Sequence, residues 1–188
     1  YTIMGGFRAV STTDLIQSIV MTVALAVVVC FGVTKAGGMD AVMENARGLA
    51  GYFTMTASHD VATGAAKPYG ILTIISTMAW GLGYFGMPHI LLRFMAIKDE
   101  KKLVISRRIA TIWVFIAMSV AIFIGVVGLA MTKAGELEVL EGSASETVIV
   151  KIAGLISQHG ILPAIVAGLI LAGILAATMS TADSQMLA

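Results

Sequence analysis

Residues 69–92 read YGILTIISTMAWGLGYFGMPHILL, a run with no Asp, Glu, Lys or Arg, interrupted only by His89. An α-helix needs roughly 20 predominantly apolar residues to cross the hydrocarbon of a bilayer, and this run supplies them. Three further charge-free runs, residues 15–34, 109–132 and 161–182, have the same character, each bounded by polar sequence. Their apolar residues are continuous, whereas membrane barrel strands alternate apolar with polar in shorter segments. The expectation is an all-α, polytopic membrane helix bundle with four transmembrane spans, about 15–34, 69–92, 109–132 and 161–182, in a single membrane domain covering residues 1–188.

Composition agrees. Of 188 residues 58% are hydrophobic and only 12% charged, and the mean hydropathy of +0.94 is far above that of a water-soluble domain. A net charge of +1 without long basic clusters argues against nucleic-acid binding. Cys30 has no second cysteine with which to form a disulfide or a metal site. No phosphate-cradling glycine loop, nucleophile triad or paired histidines at metal-ligand spacing is present, so an enzyme is disfavoured. The chain opens on Tyr1 without a secretion signal and ends at Ala188 just after an apolar run, and it reads as a fragment.

Orientation follows from the basic residues. Arg93, Lys98, Lys101, Lys102, Arg107 and Arg108 crowd the link between the second and third spans, against Asp99 and Glu100, which places that link in the cytoplasm. Glu136, Glu138, Glu141 and Glu146 outnumber Lys133 and Lys151 between the third and fourth spans, as expected outside, and residues 35–68 fall outside as well. Both outer loops are expected to hold short surface helices. One begins near Met39 with Asp40 in its first turn, and the other follows Ser143 and Glu146, which have the spacing of a capping box ahead of Val148.

Two runs inside the spans carry candidate chemistry. In Trp80-Gly81-Leu82-Gly83-Tyr84-Phe85-Gly86-Met87-Pro88-His89, three glycines and a proline weaken the helix and leave carbonyls near Tyr84 and Phe85 in need of partners. Such interrupted spans point to transporter binding sites, and Trp80, Tyr84 and Pro88 at i, i+4 and i+8 share one face of a helical segment, suited to a small solute. The competing reading is close helix packing by glycine with aromatic residues at the interface. His89, with no acid in its own span, reads as a satisfied or interfacial group rather than a proton relay. In Ala176-Ala177-Thr178-Met179-Ser180-Thr181-Ala182-Asp183-Ser184-Gln185, hydroxyls gather at the end of an apolar helix. Together with a carbonyl one turn earlier they are suitable oxygen ligands for sodium, a hard monovalent cation. Their competing reading is hydrogen bonding back to the preceding turn. Asp183 sits where this span should leave the hydrocarbon.

These runs, with Gly5-Gly6-Phe7-Arg8-Ala9-Val10-Ser11-Thr12-Thr13-Asp14, resemble in order and separation the sodium/solute symporter family, and within it the sodium/proline symporters. The resemblance implies an inverted-repeat fold in which a helix bundle rocks against a scaffold in the cell membrane, here represented by consecutive central helices. It implies sodium-coupled uptake of a small amino acid, proline foremost, by alternating access. Trp80, Tyr84 and Pro88 match positions lining the solute site, Ser180 and Thr181 match hydroxyl ligands of the sodium site, and Ala177 matches its carbonyl ligand. The remaining sodium ligands would come from an earlier broken helix, so the implied partners are sodium, solute, the lipid bilayer and the other helices of the transporter. Met87 stands where the proline symporters carry glutamine, which leaves a related imino acid or another small solute open, and Ser184 stands where a cysteine can occur. Two rival readings remain at this stage: a membrane solute sensor using the same fold with a signalling domain outside this chain, and a bundle whose glycines and hydroxyls only pack helices.

Overall fold

A computed structural model describes residues 2–60, 63–97, 99–140 and 142–186, apart from the side chains of residues 2–5, 7, 85 and 184. Lys98 and Glu141, counted above among the loop charges, and the side chain of Ser184 lie outside the described residues.

Among the described residues, three helices are long and apolar enough to cross a membrane. Helix α1 (Thr2–Lys35) changes direction at Gly6, whose φ of 56° and ψ of −154° suit a residue without Cβ, and its apolar course runs over Arg8–Lys35. The two others are α5 (Glu100–Lys133) and α7 (Ile161–Met186). At its N-terminal end α5 extends beyond the apolar run, because Glu100, Lys101, Lys102, Arg107 and Arg108 are good helix formers once the chain leaves hydrocarbon. Asp99 caps α5, its carboxylate accepting the Lys101 backbone N–H at 2.9 Å.

The second span is broken. Helix α3 (Ile71–Gly83) passes through a 3-10 turn (Tyr84–Gly86) into α4 (Pro88–Met95), at an angle of 47°. Pro88 occupies the first turn of α4, where its missing N–H costs nothing, and Met87 before it is extended (φ −79°, ψ 117°), as a residue preceding proline must be. The expected orphan carbonyl at Tyr84 accepts the Met87 N–H at 3.3 Å. The common face expected for Trp80, Tyr84 and Pro88 therefore ends at Tyr84: the Trp80 and Tyr84 rings meet edge-on at 5.1 Å, while Pro88 heads a separate helix.

The outer loops are more structured than their sequence suggested. Helix α2 (Met39–Arg47) forms as expected and buries Val42 and Ala46 as it packs against α5. An antiparallel hairpin of β1 (Ala57–His59) and β2 (Ala66–Pro68) follows, unannounced by its short, unpatterned strands. Helix α6 (Val148–Ser157) lies where it was expected, but Ser143 and Glu146 form no capping box. They fall inside a 3-10 helix (Gly142–Thr147) that runs straight into α6, so Thr147 is the cap residue and its hydroxyl bonds back to the Ala144 carbonyl at 2.7 Å. The loop before α6 is tied to it by Glu138 and Lys151 at 2.5 Å, and this hydrogen bond and charge hold the exposed Glu138 carboxyl below its usual pKa. That tie is present above the ordinary carboxylate range and lost as pH falls through the lowered value.

Contacts join α1 to α7 and α5, and α6 to α7. The core sits in the outer half of the bundle, where Val28, Ile124, Val127, Met131, Ile152, Ile156 and Ile170 are buried together. Lys35 of α1 reaches Glu136 at 3.8 Å at this outer end, while Asp14 of α1 meets Arg93 of α4 at the other, so the helix ends alternate as the charge pattern requires. Two glycines set the close approach. A Cβ on Gly32 would lie 2.5 Å from Val127 Cγ1, and one on Gly128 would lie 2.5 Å from Val148 Cγ2. Valine is stiff at χ1 and cannot swing aside. Gly32→Ala is expected to destabilise the intact protein by ~1–3 kcal/mol through overpacking, whereas Gly154→Ala, facing open space, should be tolerated. Unfolding of the two variants in mixed micelles compares them directly.

Candidate functional site

Away from the core, α1, α4, α5 and α7 enclose a cleft of about 420 Å³. Helix α1 contributes Asp14, Gln17, Ser18 and Met21; α4 contributes His89, Ile90 and Arg93; Trp113 comes from α5, and Ala177, Ser180 and Thr181 from α7. A larger groove of about 790 Å³ between α1 and α5 shares Asp14 and Ser18 but is lined mostly by hydrocarbon such as Ile19, Val23, Ile105 and Ile109, and offers little to a polar ligand.

The three residues expected to bind sodium thus come together, while Trp80, Tyr84 and Pro88 do not line the cleft. Helix α3 has no buried residue, and Trp80 is 71% exposed. The lower half of the broken span enters the cleft in their place, through His89, Ile90 and Arg93.

Most hydroxyls in the long helices bond to the preceding turn, which is the commonplace arrangement in membrane bundles. Thr22 donates to Ser18 O at 2.7 Å, Thr34 to Cys30 O at 2.7 Å and Thr178 to Ile174 O at 3.0 Å. Thr181 does the same, donating to Ala177 O at 3.0 Å, so two of the expected cation ligands stand within hydrogen-bond distance of each other. When the Thr181 hydroxyl rotates away, the Ala177 carbonyl keeps its helix bond and regains a free lone pair, so both oxygens can face one cation.

Ser180 departs from this pattern. It is 4% exposed, and its hydroxyl donates across the helix interface to Asp14 Oδ1. The other carboxylate oxygen, Oδ2, accepts from Arg93 Nη2 at 2.6 Å. One carboxylate therefore joins three helices, each oxygen committed to a different one. The sequence offered Asp14 only as part of a link motif and Arg93 only as a marker of orientation. The signal that would have found the pair is an acid at the mouth of one span and a base at the foot of another, on the same side of the membrane, each costly to leave unpaired.

Removing Asp14 strips the buried Ser180 hydroxyl of its partner, a loss of about 1–3 kcal/mol, while the half-exposed Arg93 can turn to water. Asp14→Ala should destabilise by that amount, and combining it with Ser180→Ala should cost less than the sum of the two changes. A double-mutant cycle of unfolding in mixed micelles measures the difference.

The whole chain, residues 1–188, matches a family model described as the sodium:solute symporter family. It is 35% identical over 187 residues to the osmoregulated proline transporter OpuE of Bacillus subtilis (strain 168), covering 100% of this chain and 35% of that protein. It is 34% identical to the sodium/proline symporter 2 of Staphylococcus saprophyticus and 33% identical to the sodium/proline symporter of Staphylococcus aureus (strain USA300), covering 100% of this chain and 33% of each of those proteins. No solved structure matches the chain. It spans about a third of the length of the curated relatives it matches. A match over every residue, with helices long enough to cross a membrane and one span broken at Gly and Pro, makes the chain a member of the sodium:solute symporter family.

Proposed function

We propose that this chain is the central helical segment of a plasma-membrane symporter that couples sodium entry to uptake of proline or a closely related small amino or imino acid by alternating access. The observation that carries this reading is the convergence of the Ala177 carbonyl and the Ser180 and Thr181 hydroxyls on one cleft. Neutral oxygens of this kind suit a monovalent cation that must be released again, because none of them adds a full charge to the site. The printed names of the relatives, a proline transporter and sodium/proline symporters, support the choice of solute and ion.

In this reading the solute binds near Trp80, Tyr84 and Pro88. The α3–α4 break favours that location, since non-helical backbone at membrane depth is tolerated where it lines a cavity or faces protein. The exposed rings of Trp80 and Tyr84 then face helices contributed by the rest of the transporter. Sodium bound at α7 favours the outward-open state and raises solute affinity, and by linkage the solute tightens sodium by the same factor.

Uptake by the full-length protein in proteoliposomes under an imposed sodium gradient tests the scheme. Replacing both Ser180 and Thr181 by alanine should raise the sodium concentration for half-maximal uptake on the order of tenfold or more, the equivalent of one lost ligand. An unchanged sodium requirement would remove these residues from the site, and proline uptake indifferent to sodium in the unaltered protein would remove the function. Trp80→Ala should raise the proline concentration for half-maximal uptake, and an unaltered value in correctly inserted protein rules that face out.

A further inference from the structure

Asp14 and Arg93 form a matched charge pair beside a cluster of otherwise neutral ligands, and the pair is divided between two helices. Asp14 belongs to α1, which packs along α7, whereas Arg93 sits on α4, the short helix below the break in its span. The Asp14 carboxylate touches Ser180, one of the oxygens proposed above for the cation. Left uncompensated, a carboxylate hydrogen-bonded to Ser180 would strengthen the attraction of the hydroxyl cluster for any cation. The guanidinium on its other oxygen cancels that field.

We infer that Arg93 is a positioning residue for the cation site: by pairing with Asp14 it holds the cleft near neutrality, so that sodium affinity at Ser180 depends on whether α4 lies against α1. With α4 in place the cleft is electrically balanced and sodium binds modestly. Withdrawal of α4 carries Arg93 away, leaves Asp14 facing Ser180 alone, and deepens the binding. The segment that leads from the α3–α4 break is thereby connected to the cation site through one carboxylate. This rests on the sodium site proposed above and adds to it two residues that do not themselves ligate the ion.

The sign of the effect sets it apart from simple damage, because losing a structural contact weakens binding whereas losing a counter-charge strengthens it. Purified full-length protein, titrated with sodium chloride against choline chloride while thermal unfolding is followed, reports the half-saturating sodium concentration without requiring transport. Arg93→Gln should lower that concentration on the order of tenfold, as expected for removal of one cation several ångströms from the site. Arg93→Lys, which keeps the charge, should stay near the unaltered protein. Asp14→Asn, which keeps an acceptor for Ser180 but removes the charge, should raise the concentration, and the double variant Asp14→Asn, Arg93→Gln should return toward the starting value. Should Arg93→Gln fail to assemble, Asp14→Asn against the double variant carries the same sign test. A sodium requirement in Arg93→Gln that is unchanged or higher, or a double variant no better than Asp14→Asn, overturns the inference. If the unaltered protein shows no sodium-dependent stabilisation at all, the sodium site itself is refuted, an outcome separate from the others.

Discussion

Hydrocarbon offers no partner to a peptide N–H or C=O, and the architecture of this chain follows from that constraint. Long helices satisfy it internally in α1, α5 and α7. Where the second span cannot continue as one helix, the backbone does not simply open. Glycines allow the turn, Pro88 falls at a helix start where no donor is needed, and the Tyr84 carbonyl is taken up by the Met87 amide. The break is therefore cheap in hydrogen bonds while still reorienting the chain by 47°. Its consequence is functional, because the bend turns the short lower helix and its Arg93 toward α1 and α7.

The bundle divides into two halves with different physics. In the outer half, small residues at Gly32 and Gly128 bring α1, α5 and α6 together, and buried aliphatic side chains form the core. Toward the cytoplasmic end α1 and α5 are separated by an apolar groove, and polar groups join the remaining helices. Close packing favours a fixed arrangement, whereas a hydroxyl, a carboxylate and a guanidinium can exchange protein partners for water or an ion with little net change in bonding.

Much of this was legible without coordinates. The charge-free runs located the spans, the basic link between the second and third set the orientation, and the cluster of glycines and proline marked the irregular segment. The surface helix from Met39 was visible from Asp40 in its first turn. Other features were not. Ser143 and Glu146 had the spacing of a capping box, yet the turn before α6 is a 3-10 helix that uses its hydroxyls differently. The hairpin at 57–59 and 66–68 carries no alternating pattern, being only three residues a side and exposed along β2. The common face assigned to Trp80, Tyr84 and Pro88 assumed a helix that the proline itself divides.

By itself the sequence determined that this chain crosses a membrane as helices, and which runs could carry oxygen ligands or a broken backbone. Those properties depend on hydropathy, local charge and the conformational limits of glycine and proline, all of which act over a few turns. Only the tertiary structure decided that Asp14, Arg93 and Ser180 share one carboxylate, and that Ser180, alone among neighbouring hydroxyls such as Thr178 and Thr181, bonds outside its own helix. Residues so far apart in the chain meet because of how three helices cross, and a crossing is set by side-chain packing summed along their whole length, which no local pattern encodes.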